Sequence, residues 1–132
     1  MKKYSLILLV LLNVNINADL IMNGNAAYRS NDYAKALDIY KKACDINIAQ
    51  GCTHVSTMYF KGNGMDIDTS GGIEYMDKAC TLNDAKACYD LAYFYFRGMF
   101  VKEDKLKAKD LFSKSCDGGV VKGCNNYKIM NK

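Results

Sequence analysis

The side chains in this chain best suited to chemistry are its six cysteines and its single histidine. The cysteines fall in pairs eight positions apart: Cys44 with Cys52, Cys80 with Cys88, and Cys116 with Cys124. First members and second members both step by 36 residues, and no cysteine is left over. Zinc sites favour ligands about two to four residues apart, backed by a second such pair or by histidines. The wider gap and the lone His54 speak against a metal, and no cofactor is expected. Redox-active pairs usually enclose about two residues and lower a thiol pKa. A structural bridge needs Cα atoms about 5.5–6 Å apart, which a chain reversal between two helices provides. Of the pairings that six cysteines allow, the repeat selects the one that closes each pair within its own unit. Each bridge would close a loop of about nine residues and contribute about 2.5 kcal/mol.

His54 is the one candidate base near physiological pH. Ser56 stands two positions on, a spacing that points the two side chains to different sides of a helix. We expect His54 on a solvent-facing position, with no catalytic residue identified.

The elements that carry these residues begin after an unusual N-terminus. Lys2 and Lys3 precede the apolar run Leu6 to Leu12, and a polar stretch ends at Ala18. This is the layout of a signal peptide over 1–18, cut near Ala18. The run is shorter than the roughly 20 apolar residues a membrane span needs. The expected mature chain, 19–132, is one domain with no later span, secreted or periplasmic. Such compartments oxidise paired thiols. Loss of Lys2 and Lys3 lowers the formal charge from +4 to +2. Acidic and basic residues are interspersed, so nucleic acid is not an expected partner.

The 36-residue period extends beyond cysteine. The stretches "YKKAC", "MDKAC" and "FSKSC" coincide, as do "MYFKGNGMDID" and "FYFRGMFVKED". Fixed periods of this size mark stacked supersecondary units. Each unit reads as two helices. Cys88, Leu91, Ala92 and Tyr95 share one helical face, and Ala108, Leu111, Phe112 and Ser115 share another. Gly62 and Gly98 are suited to end helices. Gly71 and Gly72 weaken a helix start by about 1 kcal/mol each relative to alanine. The expected organisation is a short hairpin at about 20–44, full units at about 45–80 and 81–116, and a terminal helix at about 121–130.

The pattern "YxxGxGxxxDxxxAxxYxxKAC", followed by a helix with "AC…L-A-x-x-Y", resembles the Sel1-like repeat, a relative of the tetratricopeptide repeat. The triple cysteine pair is similar to that of the Helicobacter cysteine-rich protein family. The resemblance covers about residues 24–132. It departs at Gly71-Gly72, where the pattern prefers Lys-Ala, and at Phe100, where it prefers Gly. It implies an all-α fold, a right-handed α/α solenoid of helical hairpins, each with an internal disulfide. It also implies β-lactamase activity, described for some relatives. That activity finds no support in the residues: the serine-enzyme motifs S-x-x-K and K-T-G are missing, and one histidine cannot build a metallo-enzyme site.

A helical solenoid exposes a concave wall lined by the first helix of each unit. Stepping by 36 places Gln50, Lys86 and Lys122 in one stripe. Thr53, Tyr89 and Asn125 form a second, and Thr57, Tyr93 and Ile129 a third. Hydroxyls, amides and tyrosine rings suit an extended peptide. Asp90, Arg97 and Lys61 would add charge at the rim. The expected function is a monomeric binding scaffold for a peptide, cell-wall fragment or protein partner. The alternatives are a β-lactamase and a periplasmic structural adaptor.

Overall fold

The computed structural model describes residues 2–132, with side chains at 5–10 and 15–132. Part of the expected leader, Met1 and the side chains of 2–4 and 11–14, lies outside the described residues. The chain forms α1 (Lys2–Arg29), α2 (Tyr33–Asp45), α3 (Ala49–Lys61), α4 (Thr69–Thr81), α5 (Ala85–Arg97), α6 (Lys105–Asp117) and α7 (Val121–Met130). Among the described residues there is no strand. Each helix packs chiefly on the one before and the one after it. This is an α/α solenoid of antiparallel hairpins.

The 36-residue step has local causes at the starts of α2, α4 and α6 and in the turns that follow α2 to α6. Asp32, Asp68 and Asp104 are N-caps of α2, α4 and α6, accepting from the backbone N–H of Lys35, Gly71 and Lys107 at 3.2, 2.9 and 2.9 Å. Such caps hold a helix start by about 1 kcal/mol each. Gly62 and Gly98 close α3 and α5 in the left-handed region, at φ 67° and 62°. The turns after α2, α4 and α6 each place one residue at positive φ: Asn47, Asn83 and Gly119. Asparagine and glycine tolerate that region best.

Helix α1 runs unbroken through the expected cleavage point. From Ser5 to Arg29 it is long and apolar enough to cross a membrane, a test that an N-terminal signal sequence also passes. Counting only Leu6–Leu12 as the apolar segment underestimates it, because Ile16, Leu20 and Ile21 extend it on the same helix. Leu6 to Val10 are exposed, whereas Ile21 and Ala27 enter the core. There α1 lies close on α2: a Cβ at Gly24 would sit 2.5 Å from the Tyr40 ring. The Tyr40 hydroxyl donates to Asn25 Oδ1 at 2.6 Å.

The core runs along the stack in three patches. One centres on Tyr40, Val55 and Met58, one on the four cysteines 44, 52, 80 and 88, and one on Ala92, Ala108 and Phe112. All three expected bridges are present, with Cα–Cα distances of 4.7, 4.6 and 4.5 Å. These are closer than the 5.5–6 Å assumed from sequence but inside the usual range of about 4.4–6.8 Å. Their place is refined too. They join α2 to α3, α4 to α5 and α6 to α7, and so lie between consecutive hairpins rather than inside one.

Candidate functional site

Three cavities recur along one face, at equivalent positions of successive units. The first is floored by Tyr40 of α2 and walled by His54, Thr57 and Met58 of α3. The second is floored by Met76 of α4 and walled by Asp90, Tyr93 and Phe94 of α5. The third is floored by Phe112 of α6 and walled by Asn126, Ile129 and Met130 of α7. Each of these four positions advances by 36 residues from one cavity to the next. The cavities measure about 370, 220 and 110 Å³. The row arises because one helix from each hairpin supplies the floor and the first helix of the next supplies the wall.

The expected stripes meet this row unevenly. Thr57, Tyr93 and Ile129 line it, Tyr93 bordering two cavities, and Tyr89 borders the second. Thr53, Gln50, Lys86, Lys122 and Asn125 do not line these three cavities. Thr53 donates to Asp84 Oδ2 at 2.7 Å, tying α3 to the N-cap of α5. Lys86 pairs with Asp90 across one helical turn at 2.7 Å. The Tyr89 ring packs on Phe112 with centroids 5.6 Å apart. Gln50, Lys122 and Asn125 are exposed on their helices, as are the rim cations Lys61 and Arg97.

The stripes omit the floor residues Tyr40, Met76 and Phe112, because they follow the first helix of each unit alone. A signal was available: each floor residue precedes the first cysteine of its pair by four positions.

His54 is not solvent-facing, contrary to expectation. Its ring stacks on Tyr40 with centroids 4.4 Å apart, and its Nε2 is buried without a hydrogen-bond partner. Burial pushes its pKa below the ordinary histidine value. Burial, and then the neighbouring Tyr28, push the Tyr40 hydroxyl up, while Arg29 opposes them. The apolar floor places an aromatic ring where the flanking helix would otherwise leave the histidine in water.

Nucleophilic chemistry finds no footing among these groups. Ser56 is buried and donates to the Gly72 carbonyl at 2.7 Å, in the contact between α3 and α4. His54 faces the other way, onto α2. All six cysteines are in disulfides, so they offer no thiolate. Among the described residues no group of three or more His, Cys, Asp or Glu could hold a metal. What the row offers is shape, apolar area and a few polar atoms.

The Sel1 repeat family model matches residues 18–47, 49–84 and 85–120, and the chain belongs to that family. A stretch of 45 residues is 42% identical to the Helicobacter pylori protein named "Putative beta-lactamase HcpE"; it spans 34% of this chain and 13% of that one. The solved structure of Helicobacter pylori cysteine rich protein B superposes with a TM-score of 0.68 at 26% identity, over 83% of this chain and 96% of that one. A protective antigen of uropathogenic Escherichia coli superposes with a TM-score of 0.74 at 24% identity, over 89% of this chain and 26% of that one. The family match and the three bridges make the chain a disulfide-rich helical-repeat protein, an architecture that fits a scaffold.

Proposed function

We propose that this scaffold works outside the cytoplasm, after loss of a leader near Ala18, and holds an extended peptide segment of a partner protein in the row of cavities. The observation that carries the reading is the row itself. Floor and wall positions recur at 36 residues, so equivalent cavities follow one another at the spacing of the units. An extended peptide also presents side chains at a regular spacing. The bridges suit an oxidising compartment. The solvent-exposed Tyr93 ring, shared by two cavities, offers flat apolar area with a hydroxyl at its edge.

The test is calorimetric titration of the oxidised chain with pools of heptapeptides. Tyr93→Ala should weaken binding at least tenfold while leaving the circular dichroism and the melting temperature almost unchanged. Equal affinity in the variant would remove the row from the binding surface. A chromogenic β-lactam is the companion assay. The engagement of Ser56 and of every cysteine predicts turnover no faster than in buffer, and catalytic turnover would replace the scaffold reading with an enzymatic one.

A further inference from the structure

The three cavities are alike in construction but not in charge. Arg29 and Lys61 line the first, each the last residue of its helix, and no acidic residue lines it. Neither takes part in an ion pair among the described residues. Arg29 gives its Nε–H to the Asn25 carbonyl at 3.3 Å, a contact that steadies the guanidinium without neutralising it. The buried, unpartnered His54 Nε2 adds an unmet polar atom in the same wall. The second cavity differs at the corresponding place: Asp90 stands where His54 stands, and Lys86 already pairs with it. The third has no charged lining residue, and Phe96, Phe112, Ile129 and Met130 make it apolar.

One wall position that steps by 36 follows the same gradient: Thr57 on α3, Tyr93 on α5 and Ile129 on α7. Polarity thus falls from the N-terminal end of the row to the C-terminal end. Two unneutralised cations in a cavity with aromatic walls call for an anion. A carboxylate is the anion that a peptide carries, and guanidinium and ammonium groups both bind it through charge-assisted hydrogen bonds.

We propose that the cavity between α1 and α3 is a carboxylate subsite, with Arg29 and Lys61 as its ligating residues, and that it fixes the direction in which a peptide lies along the row. The proposal rests on the groove reading above and deepens it. The carboxylate sits at the first cavity and an apolar side chain at the third. The walls of the first and third cavities, α3 and α7, stand two units apart, and an extended segment advances about 3.3 Å per residue, so only a peptide of several residues reaches both.

Heptapeptide pools supply the probe. One pool ends in a free carboxylate, one is C-terminally amidated, and one is amidated but carries a single glutamate. All three have a leucine or phenylalanine near the N-terminus. His54, as the single histidine, reports on the first cavity through its ring signals in nuclear magnetic resonance. The free-acid pool should shift those signals and bind at least tenfold more tightly than the plain amide. The double variant R29Q/K61Q should erase that tenfold difference while keeping the fold. Restoration by the glutamate pool would identify a side-chain carboxylate, and its failure a chain terminus, as the source. Equal binding of acid and amide, or a silent double variant, overturns the subsite. If Tyr93→Ala still weakens binding in that case, the groove survives without it. If no pool binds, both readings fall together.

Discussion

The two full units of the stack use one backbone and two packing solutions. In the unit of α3 and α4, Gly72 leaves room for the Phe60 ring, since a Cβ there would lie 2.8 Å from it. Ser56 fixes the same spot by donating to the Gly72 carbonyl. In the unit of α5 and α6 the equivalent residues are Ala108 and Ala92, both buried, with no such hydrogen bond. The loops differ in the same sense. Gly64 and Phe100 occupy the same place in successive units at φ 78° and 61°. Glycine takes that conformation freely, whereas a bulky residue carries a steric cost. The Phe100 ring offsets part of it against Phe60 and Phe94, with centroids at 5.4 and 5.3 Å. The backbone demand is therefore set by the repeat, and each unit meets it with its own side chains.

The bridges, equivalent in the two units, should show the largest effect. Replacing Cys80 and Cys88 together by serine should cost about 2.5 kcal/mol, and the same double change at Cys44 and Cys52 should cost nearly as much. Urea melts of the two variants check this, and a gap well above the fitting error would break the equivalence. Gly64→Ala comes next. Its Cβ would stand 2.7 Å from that of Tyr33 in a left-handed conformation, so we expect a loss of about 2 kcal/mol by the same melts.

The helix exchange should give a smaller effect. Ala108→Gly loses helix propensity and a buried methyl, for about 1–2 kcal/mol. Gly72→Ala gains propensity but displaces Phe60, and should change stability by less than about 1 kcal/mol. Phe100→Gly trades conformational relief against two aromatic contacts and should also stay within about 1 kcal/mol of the parent chain. A larger loss would mean that the aromatic contacts outweigh the backbone strain at this position.

The smallest expected effect concerns His54. Its pKa is lowered in the fold by burial. The unfolded chain therefore binds the proton more readily, and stability is complete above the ordinary value near 6.5. It should decline as pH falls through that value towards the folded pKa. His54→Phe should remove the step between pH 7 and pH 5 in a pH series of melting temperatures. A step that persists would assign it to another group.

Much of the architecture could be read in the chain because helix ends repeat local chemistry. Aspartate caps, terminal glycines and the cysteine pairs all act within a few residues of their partners. The row of cavities was less legible. Its wall lies on one helix and its floor on a helix of the preceding hairpin, so the pairing of Tyr40 with His54 exists only after the units stack. The same reason explains His54 itself: nothing within its own turn foretells the Tyr40 ring. Gly71-Gly72 looked like a weak helix start, yet Gly72 answers a contact with Phe60 twelve residues earlier. Reading Leu6–Leu12 as a short isolated run likewise missed that α1 carries on past it to Arg29.

The position of the bridges also decides how the molecule would bear tension. Each disulfide short-circuits the turn from one hairpin to the next, at 44–52, 80–88 and 116–124. A pull on the two ends passes through sulfur at those points and leaves the intervening residues slack. Single hairpins can peel open under force, but the joints between them cannot lengthen. A peptide laid across the first and second cavities would thus straddle the α3–α4 hairpin, while each cavity is itself held between two helices that a disulfide joins.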